Sequence, residues 1–194
     1  MRPIQLDEIE DLTTYEKSRP EFRQRILRLK QTRRVQAGEK VSLVFEHRET
    51  ARFQIQEMVR AERLVDPVAI AHEIEIYNAL LPGAHELSAT LFLEVTDPAR
   101  IRTDLEQLIG LDNGACVWIE LEDGDRAYAR FEAGHSEEGR ISAVHCVRFP
   151  FEQEQVARFR EPDRDCALVV DHPRYQARVR ISPPTRQSLL EDLV

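Results

Sequence analysis

The first part of the chain repeats its apolar residues at helical spacing, and the second part gathers them into short strand-like runs. Residues 7–35 are predicted as helix. Thr13 to Glu16 and Ser18 to Glu21 both have the spacing of a capping box, a polar cap with a glutamate three residues on. Phe22, Ile26, Leu29 and Val35 then form an apolar stripe, and Gly38 reads as the helix stop. Val41 to Phe45 is a short apolar strand. Ala51, Ile55, Met58 and Val59 share one face of a predicted helix from Glu49 to Leu64. Asp66-Pro67 opens another helix, with aspartate as cap and proline in the first turn, which runs to Leu81 before Pro82-Gly83 breaks it.

From residue 87 onward the rhythm changes. Leu87 to Val95 is predicted as a strand, and Asp97-Pro98 caps a helix through Ile109. Cys116 to Leu121 and Arg126 to Glu132 flank Glu122-Asp123-Gly124-Asp125, a hairpin signal. Ile141 to Phe149 reads as a strand ended by Pro150, followed by a short helix from Phe151 to Phe159. Cys166 to Val170 and Tyr175 to Ile181 flank a second turn, and Ser182-Pro183 caps a last helix from Pro184 to Leu193. Hairpins dominate the later strands, so pairing is expected to be mostly antiparallel. The expectation is an α+β fold over residues 1–194 as a single domain, its helical N-terminal half packed on a mostly antiparallel sheet from the C-terminal half.

Composition narrows the class. Apolar residues make up 42% of 194 residues, enough to build a core without disulfides or metals and enough to set disorder aside. The three cysteines, Cys116, Cys146 and Cys166, are far apart and form no CxxC pair, which points to reduced thiols packed as small hydrophobes. The N-terminal stretch MRPIQLDEIEDL lacks the apolar core of a signal peptide, and no apolar run reaches membrane-spanning length. A cytoplasmic protein without a membrane partner is expected. The formal net charge of −8 is unevenly spread, since Lys17 to Arg34 holds eight cations against Glu21 alone. That +7 segment leaves −15 on the rest of the chain, so its arginines are expected to dock on the protein's own acidic surface, and no nucleic-acid partner is expected.

Polar chemistry concentrates between Phe45 and Arg63 (FEHRETARFQIQEMVRAER). Gln56, Arg60 and Arg63 fall on one helix face, with Glu57 beside them and Glu46 and Glu62 near the ends. Such a helix either turns its polar side to water or buries it against partners that satisfy each charge. Glu57, Glu62, Glu46 and His47 are the candidate acids, bases or oxygen-rich ligands. Arg48, Arg52, Gln54, Gln56, Arg60 and Arg63 are the candidate ligand-binding residues, because guanidinium forks suit carboxylate or phosphate. A structural hydrogen-bond network explains the same residues without any site. No metal ligand set is assigned: His72, His85, His145 and His172 lack helical ligand spacing to one another, and His145 and Cys146 point to opposite faces of a strand. No P-loop, GxGxxG or GxSxG occurs either, which removes dinucleotide binding, nucleotide hydrolysis and the serine-hydrolase elbow from support, and the cofactor is unknown.

Three segments, YEKSRPEFRQRILRLKQTRRVQAG (Tyr15–Gly38), VFEHRETARFQIQEMVRAER (Val44–Arg63) and YNALLPGAHELSATLFLE (Tyr77–Glu94), resemble the bacterial domain-of-unknown-function family 3501. The likeness continues more weakly through VRFPF (Val147–Phe151) and DHPRYQA (Asp171–Ala177). The family pattern has asparagine where this chain has His47, a departure that weighs against a metal or catalytic role for that histidine. The resemblance supplies no reaction. It implies a role beside redox or peroxide chemistry, because members are often encoded near rubrerythrin-like and iron–sulfur oxidoreductase proteins. The leading expectation is therefore a binding or accessory protein of such a system, with an iron–sulfur or rubrerythrin-like partner. The alternatives are a metal-dependent or acid/base enzyme on the Glu46–Glu62 helix, and an oligomeric scaffold in which that helix is a subunit interface between identical copies.

Overall fold

In the computed structural model, which describes residues 1–113, 115–132, 140–161 and 164–193, the chain is α+β, with its long helices early and most of its strands late. A 3-10 turn at Leu6–Glu8 precedes α1 (Leu12–Arg33), and the hairpin β1 (Arg34–Ala37) and β2 (Val41–Phe45) follows. Next come α2 (Arg48–Ala61), α3 (Pro67–Asn78) and β3 (Glu86–Leu93). A 3-10 turn at Pro98–Arg100 leads into α4 (Ile101–Glu106). The remainder is β4 (Val117–Leu121), β5 (Arg126–Tyr128), β6 (Arg130–Phe131), β7 (Val144–Pro150), α5 (Gln153–Arg160), β8 (Cys166–His172), β9 (Tyr175–Arg180) and α6 (Pro183–Leu190).

The strands form two antiparallel sheets among the described residues, ordered β1-β2-β3-β7-β6 and β5-β4-β8-β9. The N-terminal half therefore supplies three strands of the first sheet, β1, β2 and β3. In β3, Leu87, Ala89, Leu91 and Leu93 face inward at the period of two that a pleated strand imposes. They share one apolar cluster with Leu43, Phe45 and Val147 of the first sheet and with Ile119, Leu168 and Val170 of the second. A second cluster joins Ala51, Ile55 and Val59 of α2 to Ile4, Ile74 and Leu81, and a third gathers Tyr15, Phe22 and Ile26 along α1.

Several boundaries differ from the sequence expectation for physical reasons. The single helix over 7–35 is interrupted before residue 12. Asp11 is the cap of α1, its carboxylate accepting from the amides of Thr13 and Thr14 at 2.9 and 3.1 Å. The Ser18–Glu21 box lies inside α1, where Ser18 Oγ instead donates to Glu10. The helix ends at Arg33, and Val35 belongs to a strand because pairing with Leu43 buries it. Gly38 stops no helix. It turns the β1–β2 hairpin at φ +70°, a left-handed conformation that glycine adopts without a Cβ penalty. The strand predicted over 126–132 divides at Ala129, so that β5 pairs in one sheet and β6 in the other. Pro150 is the last residue of β7 rather than its breaker.

Candidate functional site

Helix α2 begins where β2 runs out. His47 caps it, its Nδ1 accepting from the Glu49 amide at 3.1 Å, while Thr50 Oγ1 accepts from the His47 amide at 3.1 Å. The helix ends with Glu62 as its C-cap and Arg63 at φ +52°, where the Leu64 amide reaches back to the Val59 carbonyl at 2.9 Å. That backbone bond takes a terminal carbonyl that would otherwise lack a donor. Glu62 and Arg63 both project into solvent, away from the rest of the polar set.

Every fourth residue on one side of α2 addresses the N-terminal segment. Arg48 donates to the Arg2 carbonyl at 2.9 Å and holds the Glu8 carboxylate, which keeps Glu8 below its ordinary acidity constant. Arg52 reaches the Glu8 carbonyl at 3.4 Å and Glu49 at 3.2 Å, with its guanidinium 4.7 Å from the centre of the Phe22 ring. Gln56 is buried and binds both backbone groups of Glu10, accepting from its amide at 2.6 Å and donating to its carbonyl at 3.1 Å. Arg60 donates to Glu16 at 2.6 Å. Residues four apart lie one above another on a helix, so one row of side chains clamps the segment from Arg2 to Glu16. Gln54 lies off this row, half-buried, with its Oε1 buried and without a hydrogen-bond partner among the described residues.

Glu57 is tied still more tightly. Its carboxylate accepts from Arg19 Nε and Nη2 at 2.7 and 2.8 Å and from the Tyr15 hydroxyl at 2.8 Å. The Arg19 bonds hold Glu57 below the usual glutamate range, although partial burial opposes them. Desolvation, and then the Glu57 carboxylate, push the Tyr15 phenol up. A carboxylate held this way is a poor proton acceptor at neutral pH.

Glu46 and His47 sit in a different environment. Glu46 is buried under the sheet-to-helix junction, accepting from Thr90 Oγ1 at 2.7 Å and from Thr50 Oγ1 at 3.3 Å. Cys146 lies opposite Thr90 on the neighbouring strand. Burial, and then the Glu132 and Glu46 carboxylates, hold its thiol above the normal range. His47 is kept neutral, first by desolvation and then by the nearby Arg33 guanidinium; its Nε2 is 3.8 Å from the exposed Glu191. Helix α2 thus does not gather its acidic candidates into one place: Glu57 faces α1, Glu46 faces the sheet and Glu62 faces water. Among the described residues, no three His, Cys, Asp or Glu side chains form a metal-holding group.

Sequence reasoning missed the most buried ion pair. Arg33, fully buried, spends all five N–H donors: on the Phe45 carbonyl at 3.2 Å, the Glu46 carbonyl at 2.9 Å, the Ser188 carbonyl and hydroxyl at 2.9 and 3.0 Å, and Asp192. It joins the ends of α1 and β2 to α6 and its C-terminal turn. Asp192 is raised to about 6 because burial outweighs the attraction of Arg33, and its Oδ1 has no hydrogen-bond partner among the described residues. Of the basic segment's other cations, Arg19, Arg25 and Arg34 pair with Glu57, Glu49 and Glu94. No signal in the run from Lys17 to Arg34 distinguishes Arg33 from its neighbours.

Comparison with known proteins adds a family. The family described as "Protein of unknown function (DUF3501)" matches residues 3–193, and the chain belongs to it. A solved protein of unknown function from Burkholderia pseudomallei is 28% identical, with each chain covered over 100% of its length and a TM-score of 0.90. No curated protein matches the chain. No helix among the described residues is long and apolar enough to cross a membrane.

Proposed function

We propose that this family member is a binding or accessory protein of a redox or peroxide-response system, and that α2 is a clamp for the N-terminal segment rather than a catalytic surface. One observation carries the choice of binding over catalysis: Glu57, the carboxylate at the centre of the polar helix, is held on both oxygens by Arg19 and Tyr15. An acid–base enzyme on α2 would need that carboxylate free to exchange a proton. The three cysteines support the accessory role, because burial pushes Cys116, Cys146 and Cys166 all above the normal thiol range. A protonated thiol is a weak nucleophile and a slow target for peroxide, so the redox chemistry belongs to the partner. The family resemblance points to an iron–sulfur or rubrerythrin-like protein as that partner.

The test is anaerobic co-purification of the full chain with a co-expressed iron–sulfur or rubrerythrin-like protein from the same genomic neighbourhood. Stoichiometric co-elution at micromolar concentration supports the accessory role, and separate elution of two folded proteins overturns it. The scaffold reading keeps second place because Val65 and Val68, 80% and 76% exposed around the α2–α3 turn, present apolar surface. Sizing chromatography with light scattering decides it, since a monomer at micromolar concentration removes the scaffold.

A further inference from the structure

A second group of arginines lies far from α2 in sequence. Arg160 at the end of α5, Arg164 before β8, Arg180 at the end of β9 and Arg186 on α6 line one cavity of about 130 Å³, together with Cys166, Gln187 and Leu190. The chain as a whole carries −8, so four guanidinium groups around one cavity stand out from their surroundings. Their compensation is incomplete. Arg164 pairs with Glu161 at 2.5 Å and Arg180 pairs with Asp165. Among the described residues, Arg160 and Arg186 have no carboxylate partner. Arg160 donates to the Leu193 carbonyl at 2.6 Å, and Arg186 donates to the carbonyls of Arg158, Phe159, Glu161 and Arg164.

Arg186 has a double consequence. It ties the carbonyls of Arg158 and Phe159 at the end of α5 to those of Glu161 and Arg164 just beyond it. Its fixed, nearly buried charge therefore sits in the wall of the cavity without a counter-ion among the described residues. Cys166 adds no negative charge beneath it, because burial holds that thiol protonated. The exposed Gln187 side chain adds an amide to the rim.

We propose that this cavity binds a phosphate-sized oxyanion, either inorganic phosphate or the phosphoryl group of a small phosphomonoester. The guanidinium groups come from four separate segments, the end of α5, the stretch before β8, the end of β9 and α6. A planar carboxylate engages one or two such forks in its own plane, whereas a tetrahedral phosphoryl group offers oxygens in several directions. A cavity of about 130 Å³ admits a group of this size. The site is independent of the clamp on α2 and of any redox partner.

The experiment is isothermal titration of the full chain with inorganic phosphate, and separately with methyl phosphate and acetate, at a constant ionic strength of about 0.1 M. Arg160→Gln and Arg180→Gln are compared with the parent, with circular dichroism confirming that each is folded. Saturable one-to-one phosphate binding, weakened about tenfold or more by each substitution, supports the site, since a hydrogen bond to a charged group is worth roughly that much. Methyl phosphate binding as well as phosphate identifies a phosphomonoester as the source, and phosphate binding alone identifies the free ion. No saturable phosphate binding up to about 10 mM, affinity unchanged in both variants, or acetate binding as tightly as phosphate overturns the proposal.

Discussion

Replacing Arg33 with methionine tests the polar junction at its most buried point. The substitution keeps most of the side-chain volume but removes all five donors, leaving the carbonyls of Phe45, Glu46 and Ser188 and the Asp192 carboxylate without that partner. Removing one member of a buried ion pair costs about 3–5 kcal/mol, and the abandoned carbonyls place Arg33→Met at or above the top of that range. Asp192→Asn should behave differently. The Asp192 carboxyl titrates near 6 in the fold against 3.8 for an ordinary aspartate. Between those values the folded state binds more protons than the unfolded chain, so stability is lost as pH rises from about 4 to about 6. The loss amounts to about 3 kcal/mol. Asparagine imitates the protonated form, and Arg33 keeps its other four acceptors. Asp192→Asn should therefore be neutral or stabilising at pH 7 and should abolish the slope between pH 4 and 6. Urea unfolding followed by far-UV circular dichroism at pH 4.5 and 7 measures both variants. If Asp192→Asn costs as much as Arg33→Met at pH 7, charge pairing rather than donor satisfaction holds the junction, and the reasoning fails.

Three further outcomes follow from the same geometry. Glu57→Gln should cost about 1–3 kcal/mol, because it weakens a charge-assisted bidentate bond at a half-buried site, and urea unfolding at pH 7 reads it. His47 is held neutral below its ordinary 6.5, so the unfolded chain takes up its proton first as pH falls. Its contribution is present above about pH 6.5 and lost below it, and His47→Gln should flatten that part of the stability–pH curve measured by thermal unfolding. Gly38→Ala should lower stability by about 1–3 kcal/mol, since the new methyl group would run into the Tyr175 hydroxyl at a backbone angle that alanine disfavours. Urea unfolding of the single variant measures that cost, and a loss below about 0.5 kcal/mol would show that the hairpin yields without strain.

Local signals carried much of this architecture in the sequence. The Asp66-Pro67 cap, the stripe of Ala51, Ile55 and Val59, and the turn at Gly124 all rest on residues close along the chain, and each reappears in the fold. The polar crowding of α2 was visible too, but its meaning was not. Arg48, Gln56 and Arg60 find their partners in residues 2–16, 40 or more positions away, and periodicity says nothing about such pairings. Strand β1 was hidden because its basic and apolar residues continue the rhythm of α1, and only the pairing of Val35 with Leu43 distinguishes the two. The chain passes from β5 in one sheet to β6 in the other at a single buried residue, Ala129, which no local pattern marks. The arginine-lined cavity is the extreme case, since Arg160, Arg164, Arg180 and Arg186 are ordinary surface cations until α5, β9 and α6 bring them together.

The most direct measurement of the central claim, that α2 clamps the chain rather than catalysing a reaction, is made on anaerobically purified protein and its Glu57→Gln variant. Elemental analysis and native mass spectrometry of both are read beside their urea unfolding curves. The account predicts that the variant loses stability while its metal content and retained small molecules match those of the parent. A stoichiometric metal or ligand in the parent that disappears from an equally stable Glu57→Gln variant would contradict it and make α2 a site.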